Sequence, residues 1–149
     1  MEISDALKII DRINHLPEIY EQIEKAVLAV MYSYYNEILT VELDEAKIMN
    51  GDEYGNEDLN PLIGQKKLIH AKYWSNLAGF YQPCSSSSEP EHVWSNLSEI
   101  EILQNGDDDN PLFIFKAKYT DQDFNLTTNR AYLLRLSGTL LKIEHTFFG

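Results

Sequence analysis

The carboxyl-terminal part of the chain, residues 111–149, constrains the fold most because it reads as consecutive β-strands with no helix after them. Period-two alternation and turn residues predict four strands. These cover residues 97–103, 112–119, 129–137 and 140–147. Since every predicted helix comes earlier, the order indicates an α+β fold that closes on an antiparallel meander.

The first half of the chain predicts the helices. They cover about residues 3–14, 17–39 and 64–81, with a brief amphipathic turn over 41–49. From Ala26 to Tyr35 the second helix is apolar nearly all round, which is typical of an enclosed helix. We therefore expect N-terminal helices packed in the concave face of a curved antiparallel sheet.

Length and cysteine usage predict one domain without a disulfide. A chain of 149 residues has the size of a single domain with its own core, and Cys84 is the only cysteine. The sequence has no charged and apolar leader and no apolar run long enough to span a bilayer. We expect a cytoplasmic protein that does not insert into a membrane.

The net charge of −12 is unevenly distributed. Residues 1–60 hold 14 acidic against 4 basic residues, whereas residues 61–149 hold 10 against 8. An acidic helical half repels phosphate backbones and anionic membranes, so we expect neither nucleic acid nor a membrane as partner. A basic protein partner is compatible with this charge, and a solvated helix surface explains it equally well.

Alternation along two of the strands predicts that both faces of the sheet need cover. In residues 112–119 one face collects apolar side chains, while Leu112 and Ile114 begin the other. The last strand is expected to place an apolar set on one face, namely Leu141, Ile143, His145 and Phe147. Helices can cover one face of the sheet, and a second subunit can cover the other.

Several segments follow one another in a recognisable order: an enclosed helix, the acidic segment Asp44–Ala46, a turn with Asp52 and Tyr54, a helix led by Gly64, and the closing meander. This order resembles the nuclear-transport-factor-2-like (cystatin-like cone) superfamily, in particular its polyketide-cyclase-like members. The resemblance covers about residues 20–149 and leaves residues 3–14 as an extra N-terminal helix on a single domain. It implies a pocket inside the cone and a homodimer formed through the outer face of the sheet.

His145 is the candidate catalytic residue, because the alternation places it inside among apolar neighbours. A buried histidine beside a carboxylate or a phenol can act as general acid or base. Its candidate partners are Asp44, Asp52, Tyr54, His70, Tyr73 and Tyr132. A lone histidine on an apolar strand face is more often a satisfied core residue than a catalytic one. The predicted ligand pocket comprises Tyr34, Tyr54, Trp74, Phe113, Phe115, Tyr132 and His145.

No motif indicates a cofactor or a metal. The chain lacks a Cys-x-x-Cys pair, a His-Glu-x-x-His helix, a dinucleotide fingerprint and a phosphate-binding loop. The segment that starts at Asn50 matches the first positions of a calcium loop, but Pro61 occupies the position of the bidentate glutamate. Asp107 to Asp109 are adjacent rather than convergent, which favours a solvated turn.

Two hypotheses of different classes follow. In the preferred one, the domain is a non-catalytic binding or dimerisation module for a protein partner. In the alternative, the cone holds a small apolar ligand, and His145 assists proton transfer in an isomerase, dehydratase or cyclase. An open pocket with a hydrogen-bonded His145 would favour the enzyme, and a filled interior would favour the binding module.

Overall fold

The computed structural model describes residues 1–13, 21–51, 55–75, 90–107 and 109–148. The fold is α+β, with helices followed by a curved, open, four-stranded antiparallel sheet. The helices are α1 (Ile3–Lys8), α2 (Gln22–Met49) and α3 (Asn56–Tyr73), with 3-10 turns at Ile10–Arg12 and Trp94–Asn96. The strands are β1 (Leu97–Asp107), β2 (Asn110–Asp121), β3 (Leu126–Ser137) and β4 (Leu140–Phe148).

Helix α2 is a single helix of 28 residues, so the predicted end near Leu39 is wrong. The β-branched pair Thr40 and Val41 has a low helix propensity, but propensity is a weak prior that packing overrides. Val41, Glu42 and Glu45 are buried, so the segment that was predicted to be a brief turn continues the helix against the rest of the fold.

Helix α3 begins eight residues before Gly64 and ends at Tyr73, so both predicted bounds are wrong within the described residues. Its start is set by Gly55, whose amide donates to the Asp58 carboxylate at 2.9 Å. This contact satisfies one of the amides that a helix start leaves without a helical partner. Residues 76–81 of the predicted helix lie outside the described residues.

The sheet has strand order β1-β2-β3-β4, and every neighbouring pair is antiparallel, which confirms the predicted four-stranded meander. The predicted tight turn before the last strand is also confirmed, since Ser137 pairs with Leu140. Gly138 has φ +62° there, a left-handed conformation that suits glycine. All four strands extend beyond their predicted bounds.

The helices pack against one face of the sheet, which is called the helix-side face below. As predicted, Phe113, Phe115, Ala117 and Tyr119 of β2 all face it and are buried. They form one core with the apolar part of α2, from Ala26 to Met31, and with Leu134 of β3. This core confirms the prediction that the apolar part of α2 is enclosed.

The predicted alternation along β4 is wrong beyond Ile143. Ile143 pairs with Leu134, but His145 pairs with Leu133, so the register shifts by one residue at Glu144. Because paired residues share a face and neighbours in a strand alternate, this bulge turns His145 and Phe147 to the opposite side from Ile143. Phe147 is accordingly 61% exposed, and His145 is only half-buried.

Candidate functional sites on the two faces of the sheet

The helix-side face carries a layer of aromatic rings. We call it the ring layer: Tyr34, Tyr35, Trp74, Phe113, Phe115 and Tyr132, none more than 2% exposed. Tyr35 lies edge-on to Tyr132 with ring centroids 6.1 Å apart, and Phe115 lies 6.2 Å from Tyr132. At these separations the rings are in direct contact. Four of the residues predicted to line a pocket therefore contact each other in pairs, Tyr34 with Trp74 and Phe115 with Tyr132.

A hydrogen-bonded network lies at one end of the ring layer. The hydroxyl groups of Tyr35 and Tyr132 are 2.8 Å apart. The Arg130 guanidinium donates to the Tyr35 hydroxyl at 3.0 Å and to the Glu91 carbonyl at 2.7 Å. It also lies 3.6 Å from the ring centre of Tyr119, which makes a cation–π contact. The buried cation therefore contacts one phenol, one carbonyl and one ring face.

Burial keeps these phenols protonated. Desolvation raises the pKa of Tyr35 even though the Arg130 cation opposes the rise. Desolvation also raises the pKa of Tyr132 well above its ordinary value, with Tyr35 adding to the effect. A phenol whose pKa rises in this way is a poor base near neutral pH. The network therefore supports a structural role more than proton transfer.

The segment that precedes β1 is fixed by buried polar side chains. The Glu42 carboxylate accepts the backbone amides of Glu91 and His92, each at 3.0 Å, and lies 3.2 Å from the Nδ1 atom of His92. The Tyr119 hydroxyl accepts the amide of Val93 at 3.2 Å. Helix α2 and strand β2 thus hold this segment against the ring layer.

The outer face of the sheet is the other candidate site. It carries what we call the outer stripe: Leu103, Ile114, Leu133, His145 and Phe147. Leu103 is 44% exposed and Phe147 is 61% exposed, while the other three are half-buried. No described helix packs over these residues.

The charges beside the outer stripe are balanced. Glu101 faces Lys116 in register, Glu99 lies 2.8 Å from Lys118, and Arg135 lies 2.6 Å from Glu144. Phe147 lines a groove of about 610 Å³ together with Glu99, Glu101, Lys116 and Lys118. The acidic excess of the chain is therefore not on this face.

The structure separates the predicted site residues. It brings Tyr34, Trp74, Phe113, Phe115 and Tyr132 together in the ring layer, and it places His145 on the other side of the sheet. Among the candidate partners of His145, His70 stacks on Trp74, Tyr73 is buried beside Tyr34, and Asp44 is exposed on α2. Tyr54 and Asp52 lie outside the described residues.

Sequence reasoning did not single out Arg130, Glu42 or His92. For Arg130 a signal was present, because it has the same strand phase as the buried Tyr132 and Leu134. For Glu42 the signal was its position four residues after Ile38 and seven after Tyr35 on one face of α2. That signal was lost when the helix was predicted to end near Leu39.

Comparison with protein-family models, with curated proteins and with solved structures gives no match. Within the described helices, none combines the length and the apolar character that crossing a bilayer demands. Across the same residues, no group of three histidine, cysteine or acidic side chains is arranged to hold a metal ion.

Proposed function

We propose that the protein is a non-catalytic binding module that forms a homodimer through the outer face of its sheet. The observation that carries the proposal is the contrast between a filled helix-side face and an uncovered apolar stripe on the outer face. Contiguous exposed apolar surface is typical of interaction sites. A cytoplasmic location and a cystatin-like cone, the finer description of the fold, belong to the same proposal.

Charge favours a second copy as the occupant of the outer face. Two chains of net charge −12 repel each other wherever their acidic helical surfaces approach. On the outer face, however, Glu101 and Glu144 have basic neighbours in Lys116 and Arg135, so two such faces can meet with little repulsion. Paired polar groups around an apolar centre are also the usual anatomy of an interface.

The isomerase, dehydratase or cyclase alternative has less support. It needs an open pocket that contains His145 beside a carboxylate or a phenol. The ring layer is closely packed, and β4 turns His145 away from Tyr132. A catalytic role for His145 and a small apolar ligand stay predictions.

Sedimentation equilibrium at micromolar concentrations tests the homodimer. We expect the wild-type chain to be dimeric and Phe147→Asp to weaken the dimer by about tenfold or more, because a charge replaces the most exposed ring of the outer stripe. Leu68→Asp is the matched control, since Leu68 is 74% exposed on α3. It should leave the association constant within about twofold. A monomeric wild-type chain, or equal losses in both variants, would contradict the proposal.

A further inference from the structure

The two edges of the sheet differ in how their backbone groups are used. Along β4, the Leu141 amide donates to the Met1 carbonyl, and the amides of Ile3 and Ser75 donate to the Thr139 and Ile143 carbonyls, each at 2.8 Å. Isolated bridges at Glu2 and Trp74 continue this cover. The chain therefore covers the first half of its own β4 edge, up to Ile143.

The β1 edge has a long regular stretch. From Glu101 to Asp107, β1 pairs with β2 in unbroken register, but the regular part ends at Asn105, because Gly106 has φ +85° and its amide donates to the Asn105 side chain at 2.9 Å. In the described ranges of the chain, no segment pairs with the other side of this stretch. Alternate residues of an antiparallel edge strand direct amides and carbonyls outward, and such a row is a template for another strand. The stretch is as long as a typical strand.

The side chains along this stretch determine which residue types suit a strand that pairs with it. On the outer face it would lie beside Glu101 and Leu103, and on the helix-side face beside the half-buried Ile102. A basic residue suits Glu101, and apolar residues suit Leu103 and Ile102, because cross-strand neighbours on one face interact directly.

We propose that the β1 edge accepts an extended basic segment of a partner protein as a fifth strand. The bulge between Ser98 and Glu101, where Glu99 has φ +52°, limits the site to the regular stretch that follows. Such a bulge and an edge glutamate also discourage indiscriminate edge-to-edge pairing. Backbone hydrogen bonds supply affinity in this mode, and the alternate side chains select a basic partner. This inference does not depend on the homodimer.

Amide hydrogen exchange of the full chain tests whether the edge is open. Without peptide, alternate amides over 101–105 should exchange at least about tenfold faster than amides of β2, because edge amides are open to water. A capped valine peptide with one lysine, placed beside Glu101, should slow the exchange of those β1 amides and leave β4 unchanged. If the β1 amides are as protected as those of β2 before peptide is added, the edge is already covered and the proposal is wrong.

Modified peptides test the binding mode on an unaltered protein. Methylating alternate backbone nitrogens of the lysine–valine peptide should weaken binding by about tenfold or more, because it removes the ladder bonds of one peptide edge. Exchanging lysine for glutamate should weaken it similarly. The methyl groups can be placed on either of the two alternate sets of peptide nitrogens. If both methylated peptides bind as tightly as the unmethylated peptide, the proposal fails. If the peptide binds only through charge, added salt abolishes binding and β1 gains no protection, which also overturns it.

A pair of charge-reversal variants tests the location. Glu101→Lys should lower peptide affinity by about tenfold, whereas Asp44→Lys, on the exposed side of α2, makes the same change in net charge and should lower it by less than about twofold. Equal losses in the two variants would show that the peptide responds to net charge alone. Failure of any of these tests leaves the dimer experiment with Phe147→Asp unaffected.

Discussion

The two faces of the sheet differ in the burial of their side chains. On the helix-side face, Phe115 and Tyr132 are buried among rings, and the Arg130 cation is satisfied inside the fold. On the outer face, Phe147 is exposed and the charged residues are paired near solvent. The same strands supply both faces, because successive side chains of a strand point in opposite directions.

This contrast separates stability from association. Removing a side chain from the filled face leaves a cavity that the neighbouring rings cannot close. Removing one from the uncovered face leaves only water, so the folded monomer is almost unaffected. Substitutions on the two faces should therefore report on different properties of the protein.

The largest effect is expected from a phenylalanine pair. Phe115→Ala should lower the free energy of unfolding by about 3–5 kcal/mol, because Phe115 is fully buried against Trp94 and Tyr132. Phe147→Ala should change it by about 0.5 kcal/mol or less, because that ring is mostly exposed. Urea unfolding at a fixed low protein concentration measures both values.

Equal losses of stability in the two alanine variants would remove the distinction between the faces. A change in the denaturant slope would have another meaning, since it reports on the compactness of the unfolded chain or on a loss of two-state behaviour. The comparison is therefore valid only where both variants keep the wild-type slope.

A pair of arginines gives the next largest effect. Arg130→Lys keeps the charge but loses the contact of a planar guanidinium with Tyr119 and the Nη1 group that donates to both Tyr35 and the Glu91 carbonyl, so we expect a loss of about 2 kcal/mol. Arg135→Lys, in the partly exposed pair with Glu144, should cost about 0.5 kcal/mol. Thermal or urea unfolding of the two variants side by side checks this ranking. A reversed ranking would show that the outer charge pairs stabilise the monomer more than the buried network does.

The sheet could be predicted from sequence because its signals are local. The alternation of Phe113, Phe115 and Ala117 and the turn at Gly138 each depend on a few neighbouring residues. The position of Tyr132 in the ring layer follows from the same period-two rule. Local alternation is therefore enough to assign the two faces of β2 and β3.

The face of the sheet on which His145 lies could not be predicted from local alternation. The bulge at Glu144 depends on how β4 pairs with β3, and a shift of one residue exchanges the faces of everything beyond it. The prediction of the length of α2 failed for a related reason. The burial of Glu42 and Glu45 against other parts of the fold outweighs the low helix propensity at Thr40. Long-range pairing decided both features.

The smallest expected effect is a pH dependence that originates on the filled face. The pKa values of Tyr35 and Tyr132 are raised in the folded chain, mainly by burial, above the ordinary value of 10.0 that applies when the chain unfolds. The folded state therefore holds these protons more tightly than the unfolded state does. Their contribution to stability is complete below about pH 10 and is lost as the pH rises toward the folded pKa values, with about 1 kcal/mol lost for the pair near pH 10.

Urea unfolding between neutral and alkaline pH, together with phenolate absorbance, measures this loss. Tyr132→Phe removes one of the two groups and should reduce the alkaline loss by about half, while neutral stability falls by about 1 kcal/mol for the missing hydrogen bond. If Tyr35 and Tyr132 instead ionise near pH 10 in the folded protein, water reaches the ring layer. The filled face would then be open enough to admit a ligand, and the contrast between the two faces would no longer favour binding over catalysis.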